Sequence, residues 1–120
     1  MSHFTTLRSR LTDIEILKAS LHHLGITVQT NAEVRGAGCQ RVQADVVAVL
    51  EGGYDLGWSY SAQGSLDLVA DLWGVAREHN LANLMSLINQ KYAVNKTLAE
   101  VKRPALQNAN VKLVIQQKFS

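Results

Sequence analysis

At 120 residues, 47% of them hydrophobic and 18% charged, the chain has the size and apolar mass of one domain with a single core, the composition of a soluble globular protein and not of a disordered one. A net charge of +2 is a weak electrostatic footprint for nucleic acid. No apolar run approaches the ~18 residues of a membrane helix, and the single cysteine, Cys39, can close no internal disulfide.

The opening Met1-Ser2-His3-Phe4 lacks a basic region followed by an apolar stretch, so no secretory signal is expected and a reducing compartment is favoured. From about Ser2 to Arg8, Phe4, Thr6 and Arg8 alternate with His3, Thr5 and Leu7, a pattern suited to a strand. Thr12 or Asp13 then caps a helix whose Ile14, Leu17, Leu21 and Leu24 follow helical spacing, and Gly25 stops it. Ile26-Thr27-Val28 predicts a short strand, and residues 31–40, with Gly36 and Gly38, a loop.

The next three runs are the most informative. Val42, Ala44, Val46, Ala48 and Leu50 fall at every second position; Tyr54, Leu56, Trp58 and Tyr60 repeat the period, and Leu66, Leu68 and Ala70 continue it. The connections Glu51-Gly52-Gly53 and Ala62-Gln63-Gly64 have the length and glycines of three-residue hairpin loops. Loops of that length pair Leu50 with Tyr54, Val46 with Trp58, and Trp58 with Leu68. A slip of one residue would put every large side chain in water, so burial selects this register.

On the opposite face Asp45, Ser59 and Asp67 line up, Asp55 faces Asp71, and Val47, Gly57 and Val69 lie between those rows. Such a face reads either as solvated surface or as a shallow apolar patch, bared by Gly57 and rimmed by carboxylates, for a cationic or amide-bearing partner. Leu72-Trp73-Gly74-Val75-Ala76 reads as a junction. Asn80 caps a second, longer helix to about Arg103, whose apolar face weakens near Ala93–Asn95, where a kink is allowed, and Pro104 ends it. Val111, Leu113 and Ile115 alternate in a final strand. The whole predicts an α+β domain over residues 1–120, an antiparallel-rich sheet of about five to six strands in the order β-α-β-β-β-β-α-β with two main helices on one face.

Several landmarks spread over nearly the whole chain carry a resemblance. They are Met1-Ser2-His3-Phe4, Val34-Arg35-Gly36, Ala44-Asp45-Val46-Val47, Tyr54-Asp55-Leu56-Gly57-Trp58, Leu68-Val69-Ala70-Asp71 with Trp73, and Gln90-Lys91-Tyr92-Ala93. In order and spacing the chain resembles the hypothetical chloroplast open reading frame thirty-five family, unknown-function domain family twelve fifty-seven, of cyanobacteria and plastid genomes. The resemblance implies a small soluble protein of a photosynthetic lineage, in cytoplasm or plastid stroma, with no assigned reaction and no agreed catalytic residues. The chain departs from the family pattern at Gly38-Cys39-Gln40, at Val94 and in a short connection before the last strand.

The chemistry-bearing residues form no convincing catalytic set. His22 and His23 are adjacent on a helix and point in different directions, unlike the i,i+4 pair that chelates a metal. Cys39 needs a base or positive charge beside it to become a thiolate; Arg35 and Arg41 are the nearest candidates. Arg35-Gly36-Ala37-Gly38 lacks the context of a dinucleotide or phosphate loop and reads as a connection whose arginine can anchor a carboxylate or phosphate. No metal or cofactor is expected.

Charge is distributed unevenly. Between Val42 and Asn80 Arg77 alone stands against six carboxylates, whereas from Leu81 onward six cations stand against Glu100 alone. Such a molecule is suited to oriented protein association, self-association included. The reading is a non-catalytic protein-interaction module, with Val47, Asp55, Gly57, Val69 and Asp71 as its contact face and Arg35 as an outlying anchor. The alternatives are a regulator binding RNA or DNA through the basic C-terminal third, with Lys91, Lys96, Lys102 and Arg103 on phosphates and Trp58, Tyr60 and Tyr54 as stacking platform or, more simply, as core, and a small enzyme centred on Cys39 or the sheet aspartates.

Overall fold

The strands β1 (Thr5–Leu7), β2 (Thr27–Arg35), β3 (Arg41–Val49), β4 (Leu56–Tyr60) and β5 (Leu66–Ala70) form one antiparallel sheet in the order β1-β5-β4-β3-β2. Three helices, α1 (Ile14–His23), α2 (Leu72–Glu78) and α3 (Leu81–Val101), complete the α+β fold. This computed structural model describes residues 3–102. The expected strand at Val111–Ile115 lies outside the described residues.

Register follows the alternation of the sequence. Val46 pairs with Trp58 and Trp58 with Leu68, and the adjacent row is Val47, Gly57 and Val69. Gly52, Gly53 and Gly64 all take positive φ, which side chains with a Cβ resist. Val46, Ala48, Leu56, Trp58, Leu66, Leu68 and Ala70 meet Leu17 and Leu21 of α1 and Ile88 and Tyr92 of α3 in the principal core. Burying each such Leu or Ile contributes about 1.5–3 kcal/mol. Tyr60, the last of its run, is exposed.

Asp13 caps α1 by accepting from the amides of Glu15 and Ile16. The longer helix starts where Asn80 accepts from the amide of Asn83, and it runs unbroken through Ala93–Asn95. Its middle turn is held by polar contacts instead of an apolar stripe, which is why the apolar pattern weakens there. The Tyr92 hydroxyl oxygen accepts from the amides of Thr12 and Asp13, and Asn95 donates to the Ser20 hydroxyl at 3.0 Å.

The structure departs from expectation in three places. The strand expected at Ile26–Val28 continues to Arg35, since β3 offers backbone partners along its full length. The expected junction at Leu72–Ala76 is a helix, α2, begun by Asp71. The single file expected from Val42 to Leu50 is broken: Val46 and Ala48 lie in the helix-side core, but Ala44 packs with Val34 and Val47 on the other side. Ala32 pairs with Ala44 and Thr30 with Val46, while Asn31 between them has φ 48, a left-handed conformation that Asn tolerates better than most residues. Beyond this kink the β2–β3 hairpin curls across the second face of the sheet. Its Val34 packs on Gly57, and its Gly36 fits against the Phe4 ring beside β1.

Candidate functional site

The curled hairpin reaches two carboxylates, and their burial decides what the second face can do. Asp55 and Asp71 are 1% and 2% exposed. Buried carboxylates persist where donors surround them. Asp55 Oδ2 accepts from the Arg35 amide at 3.0 Å and Arg35 Nε at 2.9 Å; Oδ1 accepts from Arg35 Nη2 at 2.9 Å and the Leu50 amide at 3.1 Å. Arg35 Nη2 also donates to the Leu50 carbonyl at 2.7 Å, and the Asp55 amide to the Arg35 carbonyl at 3.2 Å. Hydrogen bonding to Asp55, reinforced by its charge and opposed by desolvation, raises the Arg35 pKa above its ordinary value. The guanidinium therefore stays charged, and the fork-to-fork pair ties the end of β2 to the start of β4.

Asp71 serves a different joint. One carboxylate oxygen accepts from the Gly74 amide at 3.2 Å, starting α2, and the other from the Ala37 amide at 3.1 Å, pinning the hairpin tip. The two aspartates expected to face each other as like charges are thus each turned to their own donors.

The expected contact face is corrected by these observations. Val47, Asp55, Gly57, Val69 and Asp71 are all buried, with no more than 8% of any non-glycine member exposed. A Cβ added at Gly57 would run into the Val34 side chain and approach Ala44 Cβ at 3.0 Å. Gly57 bares a surface for the chain's own hairpin, not for a partner. Arg35 does anchor a carboxylate, that of Asp55 within the same chain. The remaining sheet aspartates are also engaged: Asp45 accepts from the Tyr60 amide at 2.8 Å, and Asp67 from the Ser65 hydroxyl at 2.9 Å and the Ser9 amide at 3.3 Å.

What the clamp presents is α2. The Tyr54 ring lies so close to Gly74 that a Cβ there would collide with it. Arg77 Nη2 donates to the Tyr54 hydroxyl at 3.1 Å, and His79 Nε2 donates to the Glu51 carbonyl at 2.7 Å. Held on these sides, α2 turns Trp73 outward with 76% of its surface exposed. His3, Ala37, Asp71, Trp73 and Arg77 line a hollow of about 340 Å³ beside it.

The other candidates are scattered. His3, His22 and His23 are exposed, and no group of three metal-binding side chains occurs among the described residues. Cys39 is exposed at the hairpin tip. Trp58 is fully buried and Tyr54 half-buried, which leaves no stacking platform of those aromatics; Lys96 lies 3.8 Å from Glu100, and Arg103 is outside the described residues. No helix among the described residues is long and apolar enough to cross a membrane.

Trp73 escaped the sequence reading because the five residues around it look like a link. The available signal was Asp71 three residues before Gly74, a capping side chain ahead of Leu72, Val75 and His79 at helical spacing. The Arg35–Asp55 pair had no local signal, since its members lie twenty residues apart.

Comparison with known proteins agrees with the resemblance. The family model described as a protein of unknown function (DUF1257) matches residues 20–118. The uncharacterized protein ycf35 of Guillardia theta is 29% identical over 127 residues, and that of Pyropia yezoensis 24% identical over 126 residues, each alignment covering 98% of both chains. No solved structure matches. The chain belongs to the DUF1257 family.

Proposed function

We propose that this member of the DUF1257 family is a non-catalytic protein-interaction module that meets its partner through α2, with Trp73 as the anchor. The observation that supports this reading is the 76% exposure of Trp73 on a helix braced by Asp71, Tyr54, Arg77 and His79. A large aromatic side chain presented on a rigid element is the residue type most often found at the centre of a protein interface. The adjoining hollow has room for one partner side chain, and its lining, His3 and Arg77 beside the Asp71 carboxylate, favours a neutral polar group such as a carbonyl or amide. A role in photosynthetic physiology, assembly or regulation, in cytoplasm or plastid stroma, rests on the family resemblance.

Affinity capture from the native cell, run in parallel with wild type and Trp73→Ala, tests the reading. Loss of a hot-spot tryptophan costs about 2 kcal/mol or more, roughly 30-fold in affinity. The expected result is a protein retained by wild type and lost with Trp73→Ala, while the far-ultraviolet circular dichroism of the two is the same. Identical capture profiles sink the proposal.

A further inference from the structure

A second site lies in a cleft whose lining shares no residue with α2 or the hollow beside it. The residues joining β1 to α1, the inner face of the sheet and the middle of α3 enclose an open cleft of about 760 Å³, within the range of small-ligand sites. Trp58 and Leu68, directly paired across β4 and β5, form its floor, and Leu11, Met85 and Tyr92 its apolar walls. Arg8, Arg10 and Lys96 stand among its lining residues, and no carboxylate does. Lys96 has a loose pair with Glu100 at 3.8 Å, whereas Arg8 and Arg10 have no ion pair among the described residues.

The polar groups of the floor also lean one way. Beneath the cleft the Trp58 indole N–H is buried without a hydrogen-bond partner. The Tyr92 oxygen already accepts from two amides, at 3.1 and 3.0 Å, so its own proton is what it has left to offer. The cleft therefore combines an apolar interior with three cationic side chains and no carboxylate. We propose that it binds a small amphipathic anion, an apolar chain or ring system carrying a carboxylate or phosphate head. The apolar part covers Trp58, Leu68 and Met85; the head lies toward Arg8, Arg10 and Lys96.

The site is separate from the α2 surface, so it can be tested with Trp73 removed. In the full-length Trp73→Phe variant Trp58 is the only tryptophan, and its emission reports the cleft. Dodecanoate, dodecyl phosphate, 1-dodecanol and dodecyltrimethylammonium are titrated below their micellar concentrations. Saturable change with either anion, at least tenfold tighter than with the alcohol or the cation, is expected. The Arg8→Gln/Arg10→Gln double variant should lose at least tenfold in anion affinity and keep its affinity for the alcohol; both side chains are exposed, so the fold is not at risk. Met85→Trp, which fills the cleft, should abolish the response, monitored by calorimetry because it adds a tryptophan. Equal affinity for all four probes, no saturable binding, or binding of an acidic peptide without binding of either anion would overturn the proposal.

Discussion

The two faces of one sheet are closed by different chemistry. On the inner face, α1 and α3 cover Val46, Leu56, Trp58 and Leu68 with apolar side chains. On the outer face the cover is the chain's own β2–β3 hairpin, which buries only Val34, Ala44 and Val47 as its apolar cluster and is pinned by Asp55 and Asp71. A helix carries its own backbone hydrogen bonds and needs only an apolar stripe to dock. A hairpin tip brings unpaired amides such as those of Arg35 and Ala37, and each must find an acceptor when it is buried. The carboxylates supply those acceptors.

If so, the outer face should fail by loss of single polar groups. Asp55→Ala leaves the Arg35 amide and Nε and the Leu50 amide without their acceptor and the guanidinium without its counter-charge, and should cost about 3 kcal/mol, at the low end for a broken buried pair because Arg35 keeps some solvent. Urea denaturation should show this as a large drop in midpoint; a drop no greater than that of an exposed charge would mean that the hairpin is held by apolar contact. Gly57→Ala should cost about 1–3 kcal/mol, because the added methyl meets Val34 and Ala44. Pairing it with Val34→Ala should recover part of that loss in a double-mutant cycle, and strict additivity would count against the hairpin lying on Gly57.

A smaller effect is expected at the kink. Asn31→Ala should cost about 1 kcal/mol, since alanine resists the left-handed backbone that Asn31 holds, and amide exchange should speed up in the hairpin beyond residue 31 while α1 is unchanged. The smallest change belongs to the surface of the inner layer. Lys18→Ala removes the 2.9 Å pair with Glu15 and should shift thermal stability by no more than about 0.5 kcal/mol.

Much of the inner face was legible. Alternation in the β3, β4 and β5 segments, with glycines between them, carried both the pairing partners and the side that the helices cover. The outer face was legible only as a set of residues: Val47, Gly57 and Val69 do share a row, but the row is covered. Period-two spacing says which residues share a side of a strand, not what lies on top of that side. A strand that bends at Asn31 sends Ala44 to the opposite layer from Val46, and nothing in local spacing marks that bend. Trp73 and the α3 cleft were missed for the same reason, as both depend on which elements come to lie side by side.

From the chain alone come the α+β class, the β3–β4–β5 register, a cap at Thr12 or Asp13 and one at Asn80, because these depend on spacing and turns within a few residues, and the family resemblance, because its landmarks recur in order along the chain. Tertiary structure decided that Asp55 and Asp71 are internal ties, that Trp73 is the most exposed of the large apolar side chains among the described residues and that Arg8, Arg10 and Lys96 share one cleft. Those assignments depend on burial and on partners distant in sequence, and such contacts exist only after the hairpin and α3 have been laid against opposite sides of the sheet.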